Sequence, residues 1–306
     1  MGSQETHHRD AALAPIAGRQ FGAFTREQAF VVGFTAAAIK KRLSRGLWVM
    51  ADHNVYRFSA TPETWHQRLM AACLAGPAVA SHRSAGHLWD FPDMSPELVE
   101  VTALRHRRRK PTAVRWHESF HLSDRDVTAI EGIPCTRPVR SFLDLGVVLS
   151  SDELESVLNE GIRRNLLSVA AISQRLEAFG LRRPGTRVVQ AVLKRHAPNQ
   201  RPPESVLETR FIQLIRSACL LEPVPQYEVT LTDGSKVRLD FAYPHRLVGV
   251  ELDGAVYHSD ARAERRDRRR DTQLGAIGWR VLRFGWDEVT RDPEYVLAMM
   301  RPVGSK

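Results

Sequence analysis

A mixed α/β fold spread over several domains is what this sequence predicts, and three observations carry that reading. The chain has 306 residues, more than one hydrophobic core usually serves. Its front runs through short helical patterns into a hairpin pattern, whereas its last hundred residues read helix, three strands, helix, strand, helix. Between them the stretch APNQRPPES, rich in proline and polar residues, marks a boundary. The expected divisions are 1–60, an α/β middle domain at 61–150, a helical connector at 151–200, and 201–306.

Residues 10–58 read as three short helices and a hairpin. DAALAPIAGRQ is the first helix. Thr25 offers an N-cap for REQAFVV, because a Thr hydroxyl satisfies an amide that a helix start leaves unpaired. Gly33 closes that helix where a left-handed residue is usual. Thr35 caps a third, with Ile39 and Leu43 on one face and Lys40, Lys41, Arg42 and Arg45 around the rest. LWVMADHNVYRFS then alternates around a polar turn. Helix, turn, basic helix and hairpin is the order of a winged helix-turn-helix, and the basic third helix would enter a DNA major groove.

The middle stretch reads as an amphipathic helix (WHQRLMAACLAG), a helix capped by Ser81, two strands around the basic tip RHRRRKPT, and a strand followed by a helix in IPCTRPVRSFLDLGVVL. The two strands and their tip read as a hairpin. His82, His87, His117 and His121 lack metal-ligand spacing and are expected in surface or capping roles. Residues 151–196 read as helices.

In the last stretch, ESVLETRFIQLIRSACL carries Leu207, Phe211, Leu214 and Ile215 on one side, with Glu208 at the edge of that stripe. Strands PVPQYEVTL and KVRLDFAYP turn at Asp233-Gly234, a strong hairpin signal. LVGVELDG, ARAERRDRRRDTQLGAIG, WRVLRFGW and DPEYVLAMM follow as strand, helix, strand and helix. Strand alternation puts Arg238, Asp240 and Ala242 on one face and Leu239, Phe241 and Tyr243 on the other. A turn at His245-Arg246 would set Asp240 across from Glu251, and Arg238 across from Asp253. Opposed carboxylates repel unless a cation lies between them. Hard oxygen ligands on adjacent strands suit Mg²⁺ or Mn²⁺. An Arg238–Asp253 pair or a bulge that shifts the register would explain the acids without a metal.

Composition narrows the function classes. There are 44 Lys and Arg against 35 Asp and Glu, a formal charge of +9, which favours a polyanionic partner, with nucleic acid first. Cys73, Cys135 and Cys219 are odd in number, far apart and set in apolar runs, so buried free thiols are expected rather than a disulfide framework or a zinc cluster. No Walker-type loop or dinucleotide fingerprint occurs. The absence of a signal-peptide core and of a long apolar span predicts no membrane contact and a cytoplasmic location.

The motifs SVLETRF, RLDFAYP, VGVELDG, the following His258, RRDRRRDTQL and GWRVLRFGWDEV stand in order over about a hundred residues. Together they resemble the very-short-patch-repair-like endonuclease domain of the PD-(D/E)XK superfamily. That resemblance implies a restriction-endonuclease-like α/β/α sandwich and Mg²⁺- or Mn²⁺-dependent hydrolysis of double-stranded DNA. It implies Asp240 and Glu251 as metal ligands with Glu208 completing the shell. It also implies His258 as a base or phosphate holder, Asp267 behind the site, and Arg266, Arg269 and Arg270 as DNA contacts. The superfamily lysine two residues after Glu251 is replaced by Asp253, a third acid in the catalytic stretch. His258 or an arginine from the following helix is then the candidate cation. GAFTREQA, LSRGLWVM, NVYRF, SHRSAGHLW and GIPCTRPVRSFLDLG, over residues 20–145, are similar to AbiEi-type antitoxins. That second resemblance implies the alternative of a DNA-binding regulator, with a toxin as candidate partner.

Overall fold

The computed structural model describes residues 2–104, 114–119, 121–180, 183–196, 205–253 and 261–305, with side chains from 8 onward and, in the last segment, from 268 onward. The chain is mixed α/β and forms two compact units. One is Met1–Ser150 with Ala170–Val189, the other Ser151–Val169 with Gln190–Lys306. The connector expected at 151–200 is therefore shared between them rather than standing alone.

The first unit begins with α1 (Gly2–Gly18), β1 (Ala23–Thr25), α2 (Arg26–Val31), α3 (Ala36–Ser44), β2 (Trp48–Asp52) and β3 (Val55–Phe58). Thr25 and Thr35 cap α2 and α3 as their positions require: the Thr25 hydroxyl accepts from Gln28 N and the Thr35 hydroxyl from Ala38 N. The three strands form an antiparallel sheet in the order β1-β3-β2. Trp48 packs among Phe24, Phe34 and Tyr56, with Leu13 and Ile39 in the same core.

There follow α4 (Trp65–Leu74), β4 (Ala78–Ala80), α5 (His82–Leu88), β5 (Val99–Ala103), β6 (Val114–Glu118), β7 (Val127–Ile130), β8 (Ile133–Thr136) and α6 (Pro138–Leu145). The sheet order is β6-β5-β4-β8-β7. β5 and β6 run parallel, with Val99 paired to Val114 and Ala103 to Glu118. The expected hairpin is thus overturned, because parallel neighbours need a crossover instead of a tight turn. Residues 105–110, its basic tip, lie outside the described residues. Ala23 and Val55 join a second core, with Trp65, Leu69, Val101 and Ile133, so the stretches 1–60 and 61–150 pack on each other beside the separate core around Trp48. Cys73 and Cys135 are buried, and burial pushes their thiols up to about 12 and about 11. Cys219 is exposed, contrary to expectation.

After α7 (Ser151–Arg163), α8 (Val169–Phe179) and α9 (Thr186–Arg195) come α10 (Val206–Ser217), β9 (Val224–Thr230), β10 (Lys236–Tyr243), β11 (Val248–Asp253), α11 (Ala261–Ala276), β12 (Arg280–Gly285), α12 (Trp286–Arg291) and α13 (Pro293–Gly304). Four strands make a sheet in the order β12-β11-β10-β9. The β9–β10 and β10–β11 pairs are antiparallel and β11–β12 is parallel. One face buries Phe241, Tyr243 and Val250 against Leu207, Phe211 and Ile215 of α10 and Val296 and Met300 of α13. The other buries Val229, Leu239 and Ala242 against Leu274 of α11 and Trp279. Each such side chain contributes about 1.5–3 kcal/mol when fully buried, so helices on both faces hold the sheet rigid. Among the described residues no helix is long and apolar enough to cross a membrane.

Candidate active site

β10 and β11 pair as the turn position predicts: Phe241 faces Val250, Ala242 faces Gly249 and Tyr243 faces Val248. The same register carried one step further would set Asp240 opposite Glu251, but the ladder ends at Phe241 and Val250. There the Asp240 carboxylate accepts the Leu252 amide, at 2.8 Å. On the other side of β10, pairing runs Leu239 to Tyr227 and then Phe241 to Pro225. Gln226, which faces Asp240 between them, has φ +50, a left-handed conformation few side chains adopt.

The expected alternation breaks at this point. Leu239 and Ala242, three residues apart, join one core, while Phe241 and Tyr243 join the other. Leu239 was expected to share a face with Phe241 and Tyr243. The irregularity at Gln226 and the inward turn of Asp240 towards the β11 backbone account for the difference. On β11 the alternation holds: Val248 and Val250 enter the α10 core, and Gly249 lies under Leu239, whose Cδ1 is 2.6 Å from where a Cβ would stand.

Glu251 is 8% exposed and held by two guanidiniums. Arg270 of α11 ion-pairs with it. Arg283 of β12, its partner in the parallel register, donates Nε at 3.1 Å. Arg283 also grips Asp271 with both terminal nitrogens at 2.7 Å. Arg270, expected as a DNA contact, is turned onto Glu251 in the structure, adding a second guanidinium to that buried carboxylate beside Arg283. Arg269 on the same helix is exposed. The Arg266 and Asp267 side chains and all of His258 lie outside the described residues.

Burial raises the Asp240 carboxyl above the usual range, opposed by the Leu252 amide and by the charges of Arg238 and Arg270, while Asp253 adds to the rise. Burial and the nearby Arg283 lower the Arg270 guanidinium, whereas Asp271 and Asp240 raise it. Arg270 is therefore ion-paired with Glu251 and electrostatically coupled to Asp240. Arg238 faces Glu228 of β9. Asp253 is exposed at the end of β11.

Glu208 is buried in the first turn of α10, where Ser205 caps the helix by accepting from Glu208 N. Its carboxylate takes the Gln226 side-chain amide at 2.9 Å. The three-carboxylate shell of Asp240, Glu251 and Glu208 is not assembled: among the described residues no group of three or more His, Cys, Asp or Glu is arranged to hold a metal ion. Gln226 and Arg283 were missed in the sequence. An arginine inside the apolar strand WRVLRFGW was the available signal for the second, and nothing marked the first.

In the first unit, Lys40, Lys41 and Arg45 of α3 are exposed. Arg42 is not an outward contact as expected. It is 8% exposed, pairs with Asp10 at 2.7 Å, and lies over the rings of Phe34 and Trp48. Ser81 stands at the N-cap of α5 without a side-chain capping bond. Its hydroxyl instead meets the His82 ring and accepts from Thr102.

The family model REase_MTES_1575, a restriction-endonuclease-like domain, matches residues 221–302. The match begins just before β9, runs into α13, and contains Asp240, Glu251, Arg270 and Arg283. Nothing among curated proteins matches the chain. The likeness of residues 20–145 to antitoxins gains no support from these comparisons.

Proposed function

We propose that the second unit is a nuclease that hydrolyses phosphodiester bonds of double-stranded DNA, with Asp240 and Glu251 as its essential carboxylates. The observation that carries this reading is the presence of two acids on adjacent central strands, Asp240 bonded to the Leu252 amide next to Glu251 and Glu251 ion-paired with Arg270, inside the segment that matches a restriction-endonuclease-like domain. Two hard carboxylate oxygen donors fit a divalent cation such as Mg²⁺ or Mn²⁺, which when bound would activate water and offset charge on the phosphate. Asp240 is oriented for this by the Leu252 amide. Glu251 is oriented by Arg283, itself fixed by Asp271. Arg270, released from Glu251, supplies positive charge for the phosphate in place of the absent lysine, and Arg269 extends that charge along α11. His258 and Asp253 complete the proposed catalytic set, with Asp267 behind it and Glu208, bonded to the Gln226 side-chain amide, as the candidate third carboxylate.

The front of the chain supports a DNA-binding role for the first unit. Helix, strand, helix, helix and hairpin is the winged-helix order, and Lys40, Lys41 and Arg45 point to solvent on the basic helix. The protein would then act in the cytoplasm on DNA that this unit recruits.

The test is cleavage of supercoiled plasmid with Mg²⁺ or Mn²⁺ against EDTA, wild type beside Asp240→Ala, Glu251→Ala. Metal-dependent nicking by wild type alone is expected. Retained DNA binding with no cutting of plasmid, mismatched, methylated or single-stranded substrates would replace the nuclease with the regulator.

A further inference from the structure

The first unit contains a cavity of about 250 Å³, remote in sequence from the segment that matches a nuclease domain. Such a space holds roughly eight waters at about 30 Å³ each, too much for a bare inorganic ion and close to the small end of ligand pockets.

One wall is a pair of imidazoles. His82 and His117 stack with ring centroids 3.4 Å apart and planes 15° apart. Neither is a surface or capping residue as their spacing suggested: His82 is 5% exposed, and His117 Nε2 lies 3.5 Å from the fully buried Glu100. Burial, then the neighbouring His117, drives His82 down to about 3, so its ring is neutral. Apolar side chains of Leu143, Val147 and Leu176 also line the cavity.

The remaining side is cationic. Arg140, Arg175 and Arg183 crowd one ring, Phe179, at 5.0, 4.1 and 4.5 Å from its centroid. Arg175 pairs with Asp126 and Arg140 with Asp144. Arg183 has no carboxylate at ion-pair distance among the described residues, while Glu118 stands exposed at the rim. Burial, then the adjacent Arg140, lowers the Arg183 guanidinium, opposed by the charges of Asp144 and Asp126. Asp144 lines the cavity and is nine-tenths buried. Its Oδ1 accepts from Arg140, but its Oδ2 has no hydrogen-bond partner. A buried orphan acceptor of this kind costs about 1–3 kcal/mol unless a donor reaches it.

We propose that this cavity binds a nucleoside monophosphate, with its base between the imidazole pair and the apolar side chains, a base N–H donated to Asp144 Oδ2, and its phosphate on Arg183. A planar ring matches the stacked wall, a donor on that ring satisfies Asp144, and a phosphate supplies the anion that Arg183 lacks.

The test is calorimetric titration of the full chain, in EDTA to exclude binding at the Asp240 and Glu251 carboxylates. AMP, GMP, CMP and UMP are the probes, with adenosine and inorganic phosphate as controls. At least one mononucleotide binds wild type, at least tenfold more tightly than phosphate or its nucleoside. Arg183→Ala, a substitution of a half-buried surface residue, weakens it at least tenfold. Val147→Phe, which fills the cavity without touching a charge, does the same. Absence of binding by any mononucleotide would overturn the proposal. So would affinity unchanged by both variants, or phosphate alone binding as well as the nucleotides.

Discussion

Asp240→Asn separates the structural from the chemical duty of one carboxylate. The structure gives Asp240 a single defined backbone task, accepting the Leu252 amide at 2.8 Å where the β10–β11 ladder gives out. Asparagine keeps an amide oxygen at that place and loses only the charge. Burial disfavours that charge and raises the carboxyl, so the native state carries it at a cost above the unfolded value and sheds the cost as pH falls. At pH 7 the asparagine variant should therefore melt at or slightly above wild type. Asp240→Ala leaves the Leu252 amide without its acceptor, at about 1–3 kcal/mol, and should melt several degrees lower. On the nuclease reading both lose the metal-borne part of catalysis. An oxygen ligand of this kind is worth several kcal/mol to the transition state, so plasmid nicking should fall roughly a thousandfold, about 4 kcal/mol, in each. The assay pairs thermal unfolding with single-turnover nicking in Mn²⁺. Asp240→Asn cutting at the wild-type rate would refute the catalytic assignment. Asp240→Asn melting like Asp240→Ala would refute the account of the hydrogen bond.

Four further outcomes follow from the same structure. Arg42→Ala should destabilise the first unit by about 2 kcal/mol, through two lost cation–π contacts and a stranded Asp10. Lys41→Ala should leave stability unchanged and reduce the salt dependence of DNA affinity by about one phosphate contact; unfolding curves and binding at two salt concentrations distinguish them. His82 is neutral in the fold down to about 3 but protonates in the unfolded chain near 6.5. The unfolded state therefore binds one proton more across that window, and stability should drop as pH falls through it, with a limiting slope of about 1.4 kcal/mol per pH unit. In urea titrations at pH 5 and 7 His82→Asn, which tolerates the left-handed backbone at this position (φ +50), should flatten that dependence. Gly185→Ala should cost at least ~3 kcal/mol or abolish soluble expression, since φ is +82 and the new Cβ would lie 2.6 Å from the Gly146 carbonyl carbon; a wild-type melting temperature would contradict the packing of the segment around Gly185 against α6.

Local rules were readable where one residue decides them. Thr25 and Thr35 cap helices because a hydroxyl at that position has an amide to take, whereas Ser81, placed by the same rule, makes no side-chain capping bond. The 233–234 turn and the β10–β11 register follow from strand length and turn chemistry. Arg42 was readable too, since it is three residues from Ile39 and so on the same helix face, yet its charge argued for solvent. Strand direction was not readable at β5 and β6, because period-two patterns place side chains on faces without naming a partner. The cavity of the first unit draws on residues from His82 to Val189, and no local spacing joins them.

The carboxylates of the second unit show how a charge conflict in sequence resolves in space. Asp240, Glu251 and Asp253 fall on two neighbouring strands, and no cation stands among them on β11 itself. A lysine two residues after Glu251 would have projected from the same sheet face as Glu251. α11 packs on that face through Leu274, which holds the helix four residues beyond Arg270 against Leu239 and Ala242. Residues four apart lie one above the other on a helix. The burial of Leu274 therefore directs Arg270 at the sheet, onto Glu251 and within electrostatic reach of Asp240. The helix thus brings a positive charge onto the face that carries Glu251 and Asp253. If Arg270 does the lysine's work in the reaction, Arg270→Lys should retain more nicking than Arg270→Ala while Glu251 stays paired to Arg283 in both. Equal activity of the two variants would leave Arg270 with a structural role alone.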